Sequence, residues 1–155
     1  MKIGAVLIDI DGVLHVGDRP VEGAGRALRE LYRRGIPYRF VSNTTRSSRR
    51  SVARRLHRLG YDIPESWIVT APVAAAAHLR EGGRAWCYLL TTPDVRADLE
   101  ENGVSAVEEG ADAVVVGDAG GGLTYDRLNR AFRLLMEGLT LSPSRKTVTG
   151  WGEMD

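Results

Sequence analysis

The sequence predicts a parallel, doubly wound α/β sheet, and three observations carry that prediction. Short β-branched runs alternate with amphipathic stretches along most of the chain, the pattern of strands returned by crossover helices. The first such run ends on carboxylates and the second on hydroxyl and amide residues, so polar chemistry gathers where strands finish. The 155 residues, 43% hydrophobic and 26% charged, fit one ordinary domain or a domain plus part of another.

Residues 3–9 read as a buried strand. "GAGRALRELYRRG" (23–35) reads as a helix that stops at Gly35, and "IPYRFVSN" (36–43) as the second strand. Residues 47–59 form a basic helix, because Val52, Ala53, Leu56 and Leu59 recur at helical spacing. "WIVT" (67–70) is a short third strand, and Thr70 is placed to cap the alanine-rich helix 71–81, with Pro72 tolerated in its first turn. A second series follows. "RAWCYLL" (84–90) is strand-like, Thr92-Pro93 opens a helix to about Asn102, and "DAVVVGD" (112–118) is another buried strand. Residues 124–138 make an amphipathic helix with the stripe Leu128, Ala131, Phe132, Leu135 and Met136. The "EGG" turn at 81–83 divides the chain into 1–82 and 83–155. The last seventeen residues, 139–155, carry no helical stripe and barely one strand.

Bulk properties narrow the function classes. No apolar run approaches the ~20 residues of a membrane span, and the N-terminus lacks a small-residue cleavage site. The single cysteine, Cys87, lies in the apolar "AWCYLL" and reads as a small buried hydrophobe, with a reducing cytoplasm as the expected compartment. The net charge of +1 hides an asymmetry: nine arginines and no acid between Leu31 and Tyr61, eight acids and one arginine over 94–118. A basic stretch raises nucleic acid as a partner. The helical spacing of the apolar residues favours a solvated basic face instead, and the interleaved aromatics of single-strand binders are absent.

The chemistry-bearing stretch is "AVLIDIDGVLHVGD" (5–18). Asp9 and Asp11 stand just past the end of the first strand, and Ser42, Asn43, Thr44 and Thr45 at the end of the second. If those strands are neighbours, both clusters face one crevice beyond the carboxyl ends of the sheet. Such a crevice suits a phosphate ester. One carboxylate attacks phosphorus and the other, two residues on, exchanges a proton with the leaving oxygen and then with water. A hard cation such as magnesium is needed beside a phosphate dianion, while Ser42 and the loop N–H groups after Gly12 and Asn43 hold phosphoryl oxygens. Asp and Gly also make plain turns, and His15 reads as a pocket, supporting or surface residue. Arg46 either assists phosphate binding or belongs to the basic face.

"LIDIDGVL" resembles the first motif of the haloacid dehalogenase superfamily, and "FVSNTT" resembles its second. "RRSVARRLHRLGYDIP" and "IVTAPVAAAAHL" are similar to the branch with an α/β cap after motif two. "YLLTTPDVRADLE" and "VVVGDAGGGLTYDRLNRAF" look most like the phospholysine phosphohistidine inorganic pyrophosphate phosphatase group. The resemblance implies a Rossmannoid parallel sheet, here the first half of the core over 1–82, followed by a partial cap over 83–155. It implies Asp9 as nucleophile and magnesium ligand, and Asp11 as general acid/base with its carbonyl on the metal. Gly12, Ser42 and Asn43 would bind phosphate. The substrate would be a small phosphorylated molecule, hydrolysed at a monoester or phosphoamide bond, with two subunits pairing through the cap. Two rivals stay open: a non-catalytic binding or dimerisation module, and a nucleotide-binding α/β domain built on "GDAGGG" or the arginine helix.

The ending departs from the family, which supplies a phosphate-binding lysine and a late acidic motif. Lys146 is the only lysine after Lys2, and "SPSRKTVTG" does not resemble the lysine motif, so the chain is expected to be weakly active or inactive. A permitted codon set for 145–155, read from its third base, encodes E-D-R-Y-W-V-G-G-D-G, which is similar to the family's continuation. Two readings stay open: a frame change near Gly138 or Leu139, in the gene or in its sequencing, and a genuine short variant. Sequencing the gene from the Glu137 codon past the stop separates them: under a frame change another frame should continue into both missing motifs, and codons that cannot yield this peptide remove that reading.

Overall fold

The structure, a computed structural model, describes residues 3–143. Lys146, Trp151 and the proposed out-of-frame peptide lie outside the described residues.

The chain runs β1 (Val6–Asp9), β2 (His15–Val16), β3 (Arg19–Pro20), α1 (Ala24–Arg33), β4 (Tyr38–Ser42), α2 (Arg49–Arg58), β5 (Ile68–Thr70) and α3 (Ala71–Glu81). It continues through β6 (Trp86–Leu90), α4 (Pro93–Glu101), β7 (Ser105–Ala106), β8 (Ala113–Val116), α5 (Tyr125–Met136) and β9 (Thr140–Pro143). Two parallel sheets result, in the orders β1-β4-β5 and β7-β6-β8-β9, with β2 and β3 as a small antiparallel hairpin. The fold is α/β, as the alternation predicts.

The second sheet is covered on both faces, which explains its unbroken apolar strands. Cys87, Leu89, Ala113 and Val115 meet Ala76, Leu79, Val95 and Leu99 of α3 and α4. Tyr88, Leu90 and Val114 meet Ala131 and Leu134 of α5. Burial, and then Asp112, push the Cys87 thiol up to about 11, so it stays a packed thiol at neutral pH. In the first sheet, Ile8, Phe40 and Ile68 face α1 and α2 through Leu28, Val52 and Leu56. The opposite face is open, with Leu7 73% exposed.

Three local expectations change. The α5 stripe is apolar but does not all point inward: Leu128, Phe132 and Met136 are exposed, while Ala131 and Leu134 are the residues buried on the sheet. Small Ala131 lets the helix sit close, and close seating selects the face. Thr70 precedes α3 without capping it; its hydroxyl instead donates to Asp98 Oδ2 at 3.2 Å. Two-residue strands β2, β3 and β7 are too short to show a period, and β9 appears at the start of the atypical ending.

The two sheets are joined where α4 meets the start of α2. A helix start leaves N–H groups without partners and carries positive dipole character. Ser48 caps α2, its Oγ accepting from Ser51 N at 3.1 Å. Asp94 of α4 accepts from Ser48 N (2.8 Å), Ser48 Oγ (2.8 Å) and Ser51 Oγ (3.0 Å). One turn on, Asp98 accepts from Arg49 N at 2.8 Å and from Thr70 Oγ1. Burial raises both carboxyls, but the donors on Asp94 outweigh it and leave that pKa below the ordinary value. On Asp98, only 2% exposed, burial wins and the pKa is raised.

The signs of pH dependence therefore oppose. The stabilisation from Asp94 is present above the ordinary carboxylate pKa of about 3.9 and is lost as pH falls through its lowered value. That from Asp98 is greatest below about 3.9 and declines as pH rises through its raised value. Asp94→Asn, which cannot keep three donors satisfied, should cost about 1–3 kcal/mol in urea unfolding at pH 7, with the loss shrinking near pH 3. Asp98→Asn, which retains an acceptor oxygen, should cost less at pH 7 than at pH 3. Parallel pH profiles for the two variants would show the assignment to be wrong.

Candidate active site

Parallel pairing of β1 with β4 puts Asp9 opposite Val41, one residue before Ser42. The neighbour condition that the sequence left open is met, and Asp11 and Ser42 meet beyond the carboxyl ends of the two strands. Ser42 Oγ donates to Asp11 Oδ2 at 3.3 Å and accepts from Thr44 N at 3.3 Å, so the hydroxyl joins the two loops. Asp9 is exposed and its Oδ1 accepts from Ile10 N at 2.8 Å.

The turn after Asp9 is tight. Leu14 N donates to Ile10 O (2.9 Å) and Gly12 N to His15 O (2.8 Å). Gly12 sits at φ 82°, in the left-handed region that a side chain disfavours. The turn brings His15 back to Asp11, where Nε2 lies 3.6 Å from Oδ1. The imidazole is 3% exposed and its Nδ1 is buried without a partner. Of the readings open for His15, the structure selects a supporting residue behind Asp11. Asn43 is exposed, with Thr44 and Thr45 half-buried.

Sequence reasoning missed Asp118. Its carboxylate faces Arg46 Nη1 at 3.3 and 3.4 Å, and its N–H donates to Thr45 Oγ1 at 3.1 Å. The Gly120 N–H, then the Arg46 guanidinium, hold this carboxyl below its ordinary value. Thr92 Oγ1 donates to the Arg46 carbonyl at 2.8 Å. "GDAGGG" is thus a contact loop on the Ser42 loop, with a short 3-10 turn at Gly120–Gly122. No local pattern signals a pair 72 residues apart. His57 and His78 belong to no metal-holding cluster, and among the described residues no group of three or more His, Cys, Asp or Glu could hold a metal ion.

The arrangement offers an exposed carboxylate, a second carboxylate on a hydroxyl, and loop N–H groups nearby. The chain as a whole is similar to known hydrolases. The model of the haloacid dehalogenase-like hydrolase family matches residues 6–105. The rat haloacid dehalogenase-like hydrolase domain-containing protein 2 is 41% identical over 137 residues, covering 88% of this chain and 51% of the relative. The human phospholysine phosphohistidine inorganic pyrophosphate phosphatase is 34% identical over 139 residues, covering 87% of this chain and 50% of the relative. The chain thus spans about half the length of the curated relatives it matches. Among solved structures, a Thermotoga maritima 4-nitrophenylphosphatase superposes with a TM-score of 0.87 at 29% identity, over 94% of this chain and 56% of that one. A Mycobacterium tuberculosis glycerol phosphate phosphatase in complex with magnesium gives 0.78 at 26% identity, over 93% and 44%. The chain belongs to the haloacid dehalogenase-like hydrolase family.

Proposed function

We propose that this chain carries the nucleophile half of a magnesium-dependent phosphatase acting on a small phosphorylated molecule through an aspartyl-phosphate on Asp9. The observation that carries the proposal is the Ser42–Asp11 hydrogen bond beside Asp9, at the carboxyl ends of adjacent parallel strands. The named activities of the phosphatase relatives and neighbours support it. The compartment proposed is the reducing cytoplasm, on the single, unpaired Cys87.

Asp9 attacks phosphorus with a carboxylate oxygen, and the bond to the leaving oxygen breaks as Asp11 gives that oxygen its proton. Asp11 then takes a proton from water as it attacks the acyl-phosphate, releasing phosphate and restoring Asp9. Ser42 Oγ and the N–H groups after Gly12 and Asn43 receive the phosphoryl oxygens. His15 keeps the Asp11 carboxylate in place from behind. The donors fit magnesium in kind, since both are hard oxygens on an exposed turn, and magnesium commonly takes one or two carboxylates besides phosphate and water. The Asp9 carboxylate and Asp11 carbonyl would hold the ion, which offsets the charge of the phosphate dianion. The exposed Leu128, Phe132 and Met136 face of α5 supports pairing of two subunits through the second sheet.

With Asp9 and Asp11 as the carboxylates at the site among the described residues, the 155-residue chain should turn over 4-nitrophenyl phosphate slowly or not at all. Any magnesium-dependent turnover should fall roughly 10³-fold or more in Asp9→Asn and about 10²–10⁴-fold in Asp11→Asn. Inorganic phosphate with magnesium should shift the amide resonances of Gly12, Asn43 and Thr44 saturably. Phosphate that leaves those amides unmoved would sink the site assignment. Fast hydrolysis by the short chain would keep the site and overturn only the expectation of weak activity.

A further inference from the structure

The second sheet has a cavity of its own. In the order β7-β6-β8-β9 the chain leaves β6 toward one edge and β8 toward the other, so these two adjacent strands form a topological switch point. Ligands of open parallel sheets seat beyond the carboxyl ends at such a point. A cavity of about 430 Å³ lies there, walled by Thr91, Thr92, Arg96, Glu108, Gly122 and Arg127 among others.

Its polar groups are only partly engaged by the protein. Thr91 is 7% exposed, and its Oγ1 is buried without a hydrogen-bond partner, a costly arrangement for a hydroxyl. Arg127 is locked in position, donating to Leu89 O at 2.7 Å and Gly122 O at 2.9 Å, two carbonyls that leave its charge without a carboxylate partner in those bonds. Arg96 gives Nε to Glu100 at 2.8 Å, which leaves both terminal nitrogens without a hydrogen bond among the described residues. Thr92 and Pro93, at the start of the nine-residue α4, line the same cavity.

We infer that this cavity is a second binding site, independent of Asp9, for a small molecule with an oxyanion head. Two arginines and a helix start converge from different elements, and guanidinium pairs well with the oxygens of carboxylate or phosphate. Thr91 brings to the wall a hydroxyl that has no partner in the protein, and Glu108, also in the wall, can accept from a hydroxyl or amine elsewhere on the ligand. The site adjoins the Ser42 loop, because Thr92 Oγ1 also holds the Arg46 carbonyl.

The test titrates succinate and, separately, inorganic phosphate into the isotope-labelled 155-residue chain while amide resonances are followed. At least one probe should give saturable shifts at Thr91, Thr92 and Arg96 with a Kd of about 1 mM or tighter, an affinity modest for charged pairing. Arg96→Gln should weaken that Kd roughly tenfold. Thr91→Val should weaken it too, yet melt no lower than the parent, because the hydroxyl removed bonds nothing within the protein. Response to succinate alone assigns an organic acid, and response to phosphate alone assigns a phosphate ester. The Asp9→Asn variant should keep the response, which separates this site from the phosphatase reading. Neither probe moving residues 91–96 at about 10 mM, or an unchanged Kd in Arg96→Gln, would overturn the inference.

Discussion

The capping of α2 by two carboxylates from α4 is the interaction on which the remaining arrangement rests. Between β4, which ends at Ser42, and α2, which begins at Arg49, six residues cross the top of the first sheet. One end of that loop is fixed by the strand ladder. The other is fixed because Ser48 N donates to Asp94 and Arg49 N to Asp98. The loop that carries Asn43, Thr44, Thr45 and Arg46 is therefore strung between two sheets. Loss of the joint would leave backbone donors unpaired in a half-buried setting, so it is expensive to break.

The same joint explains the charge asymmetry of the sequence. The arginine-rich first half and the acid-rich second half face one another at several points. Arg50 pairs with Glu101 at 2.8 Å, Arg46 with Asp118, and the α2 start with Asp94 and Asp98. Arg49 and Arg50 also lie near Glu65, and Arg55 near Asp18. Exposed pairs of this kind contribute little each. Their value lies in orientation, since they set which loops of one sheet meet which loops of the other. The opposite behaviour of Asp94 and Asp98, one turn apart on α4, shows how local the balance is. Three donors overcome burial at the first, and two donors in a deeper setting do not at the second.

Much of the site is legible in the chain's local chemistry. Asp9, Asp11 and Gly12 announce themselves because an apolar strand that ends on two acids and a glycine is chemically unusual. Ser42 and Asn43 follow from the next strand ending on polar residues. The structure brings Asp11 and Ser42 into contact, as a parallel β1–β4 pair requires. Less legible are the residues that act across distance. His15 is behind Asp11 because the turn through Gly12 folds back, and Asp118 meets Arg46 because two sheets are docked. Neither fact leaves a period or a spacing in the chain.

The sequence by itself determined the α/β class, the order and type of every long element, and the chemistry at the strand ends. Those depend on local hydrophobic period, on helix starts such as Thr92-Pro93, and on glycine turns, all of which act within a few residues. Tertiary structure alone decided which face of α5 is buried, that Thr70 serves Asp98 rather than α3, and how the Ser42 loop is held between the sheets. Each of these is a competition among partners distant in sequence. Close packing around Ala131, the cost of an unpaired buried carboxylate, and the acceptors a helix start demands settle them only once the elements have met.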